Sequence, residues 1–263
     1  MVNPFAEFQT YRPCQRSLPL DRIIAVRDAI LEQLVGSYTA YIDQTELDWE
    51  QLPDPRPVER AYQSALRHVA GLTYNHDDIE DFCFSLEQLH TPAAAHNLPD
   101  DSPSLWGLSG LYLSALCNQT ASRQVQLRLQ WMPARVHLLG YQLPAGKRLD
   151  IEGLCGDFLG MALAGGEISL QGSAFHGVGF ALQRGKIVIS DNAGEDVGQD
   201  MIGGEIHVLG GRIRGVGRVR GGSVYLGQRR IALAESSEQK ESGADQSPGK
   251  KTAPLSFKER ADA

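Results

Sequence analysis

Nowhere in its 263 residues does this sequence offer the run of about 18 apolar residues that a membrane-crossing helix needs. Its start, Met1-Val2-Asn3-Pro4-Phe5, lacks the basic head and apolar core of a secretory signal. These absences predict a cytoplasmic protein with no membrane association. Cysteine is scarce. Cys14, Cys83, Cys117 and Cys155 stand far apart, without CxxC spacing or nearby histidines, which argues against a structural zinc site, a redox dithiol and a disulfide framework. Reduced, buried thiols are expected, with Cys14 set apart by its neighbours Arg12 and Arg16. No cofactor is expected. Positive charge is scarce in the front half. Residues 1–139 carry 10 Lys/Arg against 17 Asp/Glu, whereas 140–230 carry 10 against 9 and the remainder 5 against 6. Phosphate backbones are bound by clustered positive charge, so the acidic front half speaks against a nucleic-acid-binding domain there.

What is present begins as helix. Ile23, Ile24, Val26, Ile30, Leu31 and Leu34 recur near a 3.6-residue period, predicting a helix over Asp21 to Val35 that Gly36 stops. Pro57 to Ala70 repeats the pattern and ends at Gly71. A third helix is expected over Asp77 to Leu89, and a fourth capped by Ser102-Pro103 and running through Leu105, Leu108, Tyr112 and Leu116. Asp43 to Asp54 and Thr91 to Pro99 are expected as loops. After Asn118 the period becomes two: Val125, Leu127 and Leu129 alternate with polar residues, and Arg135 to Tyr141 is expected as a second strand.

Glycine then takes over, with 22 of the 28 glycines between Gly140 and Gly227. They repeat. Gly160, Gly179, Gly198 and Gly217 are spaced by 19 residues, each after Leu159, Val178, Val197 or Val216. Gly166, Gly185, Gly204 and Gly222 follow at spacings of 19, 19 and 18, each opening a short strand. In a strand, alternate side chains share a face, so Leu149/Ile151, Ile168/Leu170, Ile187/Ile189, Ile206/Val208 and Val224/Leu226 should all point inward. Coils stacked about 4.8 Å apart would align them into apolar ladders, with glycine at corners where φ is positive or a Cβ has no room. Nineteen residues are too few for a helix-containing repeat or a propeller blade, which leaves a β-helix of four to five coils. Its open first coil needs a cover, which the helical half is placed to supply. The expected fold is therefore α+β: a helical cap over 1–119, a right-handed parallel β-helix over 120–232 and a disordered tail over 233–263, rich in Ser, Glu, Lys and Gly.

The runs Ile151 to Gly172 and Ala193 to Gly210, with their Gly-Gly-Glu-Ile and Ala-Gly-Glu-Asp-Val-Gly elements, resemble the GXGXG repeat family. That family includes the C-terminal domain of the glutamate synthase large subunit and the C subunits of formylmethanofuran dehydrogenase and of the formyltransferase/hydrolase complex. The resemblance covers about a third of the chain. It implies a right-handed β-helix that holds catalytic domains or subunits together and bears no catalytic residue. It does not imply glutamate synthesis, because the cluster cysteines, flavin barrel and N-terminal amidotransferase cysteine are missing.

Each candidate for chemistry has a plainer reading. Gly107-Leu-Ser109-Gly110 suggests a nucleophile, but a nucleophile elbow follows a strand and this segment reads as helix. The repeat glycines open no helix and so form no dinucleotide loop. Asn75 to Asp81 is rich in metal-capable groups, yet Asn and Asp at a helix start cap free N–H groups. His176 and His207 fall in different phases of the repeat. Arg212, Arg214, Arg218, Arg220, Arg229 and Arg230 gather around the last coil, forming a positive ledge. Two compatible readings of the ledge are open: charge that blocks edge-to-edge stacking, and a docking surface for an acidic partner or anion. The sequence thus predicts a non-catalytic scaffold that assembles with a protein partner or with itself. The alternatives are an accessory subunit of a glutamate synthase-like or formyltransferase/hydrolase-like complex, and an enzyme in the helical half with His76, Asp77 and Asp78 lining a cleft.

Overall fold

A computed structural model describes residues 19–52, 54–90, 102–132 and 134–233. Cys14, the loop expected over Thr91 to Pro99 and the tail from residue 234 lie outside them. Four helices come first: α1 (Pro19–Gln44), α2 (Pro55–Val69), α3 (His76–Leu89) and α4 (Pro103–Gln119). Seven strands follow in sheet order, β1 (Gln124–Arg128), β2 (Arg148–Glu152), β3 (Ala164–Gln171), β4 (Arg184–Ile189), β5 (Ile202–Val208), β6 (Gly221–Leu226) and β7 (Arg229–Leu233). β1 to β6 pair in parallel as the rungs of a β-solenoid.

The helices form where the apolar period predicts them, with two departures. α1 runs through Gly36, because continuing it buries Tyr38 and Tyr41, which outweighs the roughly 1 kcal/mol a helical glycine costs. The segment expected as loop from Asp43 thus begins inside α1, and it also holds a 3₁₀ turn at Trp49–Gln51. α2 stops where Gly71 takes φ +85°. α4 starts after Ser102, but Ser102 gives no side-chain cap and Pro103 sets the first turn instead. Every residue of α4 from Leu105 to Cys117 is buried, so it is the central helix of the cap.

In the solenoid the register follows the glycine repeat. Leu149, Ile168, Ile187, Ile206 and Val224 stack in successive rungs, as do Ile151, Leu170, Ile189, Val208 and Leu226. All are buried except Leu226, which is half-buried because no further parallel rung lies above it. Fully burying each such side chain contributes about 2 kcal/mol, and only the stack excludes water from both edges of a rung. Outside, Arg148, Glu167, Lys186 and Glu205 alternate in sign along one column. A slip by one coil would oppose Arg148 to Lys186, so this column helps hold the register.

The corners are more regular than the glycines suggested. Three residues at alternate positions take positive φ in each of the first four coils: Leu138, Gly140 and Gln142, then Phe158, Gly160 and Ala162, then Gly177, Gly179 and Ala181, then Asp196, Gly198 and Asp200. Only the middle place is glycine every time. There a Cβ would press on the ladder below, as at Gly160, where it would come 2.6 Å from Ile187 Cδ1. Arg135 to Tyr141, expected as a strand, is this corner in the first coil. Its strand-like pairing with the next coil is the single bridge of Val136 to Cys155, because Leu138 and Gly140 cannot be left-handed and extended together. Gly217 departs from its counterparts: its φ is not positive, and close contact with Gln199 is what excludes a side chain.

The helical half covers the first coil. A single buried apolar cluster runs from Leu34 in α1 to Val224 in β6. Gly110 of α4 lies so close to the first corner that a Cβ would stand 1.8 Å from the His137 carbonyl oxygen. One turn on, Ser114 Oγ donates to the Gly110 carbonyl (2.6 Å) and accepts from the N–H groups of Gly140 (2.9 Å) and Tyr141 (3.2 Å). Asn118 donates to the Tyr141 carbonyl at 3.0 Å. Small and polar residues on one face of α4 thus satisfy the backbone that a first coil would otherwise leave open.

Candidate functional site: the last coil and the polar edge

The sites suggested in the helical half resolve into structural roles. Asn75 accepts from the N–H groups of Asp77 (2.7 Å) and Asp78 (3.4 Å), and Asp78 accepts from the N–H of Asn75 (2.8 Å), a complete capping box on α3. His76 lies beside Asp77 at 3.3 Å on the surface. Two depressions in the described surface, one walled by Val69 to Tyr74 with Gln119 to Ala121, the other by Gln44, Ser64, Arg67 and His68, include none of these residues. Ser109 is fully buried, donates to the Leu105 carbonyl (2.9 Å) and shares a hydrogen bond with Tyr38 (2.7 Å), which in turn meets His90 Nε2 at 2.6 Å. Among the described residues it is packed away from solvent. Burial pushes the thiols of Cys83 and Cys117 up to about 12 and raises that of Cys155 as well, so all three are inert at neutral pH.

Along one edge of the solenoid runs a ladder that the repeat pattern does not announce. His137 Nδ1 accepts from the N–H of Asp157 (2.9 Å), Asp157 Oδ1 from the N–H of His176 (2.9 Å), and His176 Nδ1 from the N–H of Glu195 (3.1 Å). His137 Nδ1 also lies 3.4 Å from Asp157 Oδ2. It cannot accept from the first group and donate to the second at once, and the shorter contact makes it the acceptor, with the proton on Nε2. Burial opposes the ionised form of Asp157, but hydrogen bonding, including the N–H of His176 at Oδ1, outweighs it and holds the carboxyl below its usual range. Trp49, from the 3₁₀ turn, meets His137 edge-on at 4.7 Å and ties the cap to this ladder. His207 stands elsewhere, stacked on Tyr225 at 4.4 Å with its Nε2 2.9 Å from Glu205.

The six arginines are all exposed. Arg212 and Arg214 flank Ile213, which is half-buried, and Arg218 and Arg220 flank buried Val219. Their coil lies over an acidic one that carries Asp191, Glu195, Asp196 and Asp200. Arg220 pairs with Asp200 at 2.6 Å. Arg212, Arg214 and Arg218 have no carboxylate partner among the described residues. Arg229 and Arg230 sit beyond the far end of β6, at the start of β7. β7 itself was missed by sequence reasoning. It folds back antiparallel on β6 through a two-residue turn, and Gly227 with φ +57° is the signal that could have found it.

No family profile, curated protein or solved structure matches the chain. The functional reading therefore rests on geometry. No described helix is long and apolar enough to cross a membrane, and no group of three or more His, Cys, Asp or Glu side chains among the described residues could hold a metal ion.

Proposed function

We propose that the protein is a non-catalytic scaffold whose β-solenoid mediates assembly, and that the last coil is where a partner is held. The observation that carries this is the asymmetry of charge at that coil. Between Glu205 and Glu235 there is no acidic residue, six arginines stand exposed, and all but Arg220 lack an ion-pair partner among the described residues. Every cationic residue there is arginine. Lysine would serve to repel another edge, whereas the planar fork of arginine is suited to holding carboxylates in pairs. The buried, inert thiols suit a reducing compartment, and the reading places the protein in the cytoplasm. On the GXGXG resemblance, the partner is an enzyme subunit of the kind those solenoids hold together.

The test is light scattering and native mass spectrometry of the full chain purified from its own cells at about 0.1 M and about 1 M salt. A discrete assembly at low salt that loosens at high salt is the expected result. A monomer with no associated protein at both salt concentrations would refute the proposal.

A further inference from the structure

The last coil offers an open backbone edge as well as charge. One coil below, Ala193 gives its N–H to the Arg212 carbonyl (2.9 Å) and Val197 gives its own to the Gly215 carbonyl (3.1 Å). Ile213 and Val216 occupy the equivalent places, bridged in parallel to Ala193 and Val197. In such a bridge, where one residue spends both its N–H and C=O on the other strand, the opposite residue turns its own groups away. Ala193 and Val197 had a next coil to receive them. Ile213 and Val216 have none: among the described residues nothing accepts from either N–H. β7 closes the edge of β6 only, so among the described residues the stretch from Gly211 to Arg220 remains a short uncovered rung.

Side chains along that rung select what can lie on it. Arg212, Arg214 and Arg218 stand beside the open amides without carboxylate partners among the described residues, and Val216 shows 37% of its surface between them. A second copy meeting this end face-to-face would set six arginines against six. An extended chain of opposite charge would gain main-chain hydrogen bonds and ion pairs together.

We infer that this end of the solenoid takes an extended, carboxylate-rich segment of another protein as one further rung. Its carbonyls accept from Ile213 and Val216, its acidic side chains meet Arg212, Arg214 and Arg218, and an apolar residue between them covers Val216. The inference rests on the scaffold reading and names the chemistry of the partner.

The test uses the full chain and a fluorescent peptide of alternating Glu and Val, with a Lys-Val peptide as control, followed by anisotropy. Saturable binding of the acidic peptide alone is expected, weakening with salt and at least tenfold weaker in the triple variant R212Q/R214Q/R218Q, whose melting temperature should not change. Equal binding by the wild type and the triple variant would overturn the inference. So would inorganic phosphate binding as tightly as the peptide, since that marks a small-anion site without edge pairing. A triple variant that keeps the natural assembly, seen by light scattering, would overturn the inference and leave the scaffold reading standing; a wild type that is monomeric at every salt concentration would overturn the reading itself.

Discussion

The two ends of the solenoid are finished in opposite ways. At the first coil, α4 brings glycine, serine and asparagine against the corner, so that the N–H groups of Gly140 and Tyr141 and the Tyr141 carbonyl all find partners in the cap. At the last coil, β7 covers one strand and, among the described residues, the corner is left with open amides among arginines. An uncovered rung of a stacked sheet is an aggregation hazard unless charge guards it. Under the proposed function the two ends have different roles: one is buried into the protein's own core, the other is kept accessible but selective.

That contrast can be broken at the ladder both ends share. Ile206→Asp places an unpaired carboxylate where the side chain is fully buried, and should cost about 4 kcal/mol or more and abolish cooperative melting of the solenoid. A calorimetric transition unchanged from wild type would remove Ile206 from the inward face. Gly110→Ala acts on the closed end alone. Its Cβ would collide with the His137 carbonyl oxygen, a rigid backbone atom, so a loss of about 3 kcal/mol is expected by chemical denaturation. If the variant is as stable as wild type, α4 does not seat on the first coil.

A smaller effect sharpens the edge ladder that starts at the closed end and runs to Glu195. The Asp157 carboxyl is depressed in the folded state, so it contributes stability that is present above the ordinary carboxylate range and lost as the pH falls through its folded value. Asp157→Asn should therefore flatten the acid limb of the stability curve and leave the alkaline side nearly parallel to wild type. An acid limb of unchanged slope would mean that Asp157 is as free to protonate when folded as when unfolded.

Much of this was legible because the repeat writes its own register. The pairs Leu149/Ile151 through Val224/Leu226 could be placed inward from a period of two inside a period of 19, and all but the terminal Leu226 are buried. What stayed hidden depends on contacts that no fixed letter marks. Phe158, Ala162 and Asp200 take left-handed backbone that glycine usually signals, each giving its N–H to the next coil, and Asp196 does so while accepting from Gln199 within its own turn. The ladder of His137, Asp157, His176 and Glu195 recurs at nearly constant spacing. Any side-chain acceptor can receive the next N–H, so the letters change from rung to rung. The length of α1 depended on Tyr38 and Tyr41 finding a core that includes Tyr112, contributed from far along the chain. At the last coil the arginines were visible in the sequence, but the open amides beside them became visible only once the coils were stacked.

Amide hydrogen exchange on the full chain, resolved residue by residue, tests the difference between the two ends most directly. The account predicts slow exchange at Gly140, Tyr141, Ala193 and Val197 and fast exchange at Ile213 and Val216. Equal protection at Ile213 and Val216 in the isolated protein would show that the last coil is already covered, and would contradict it.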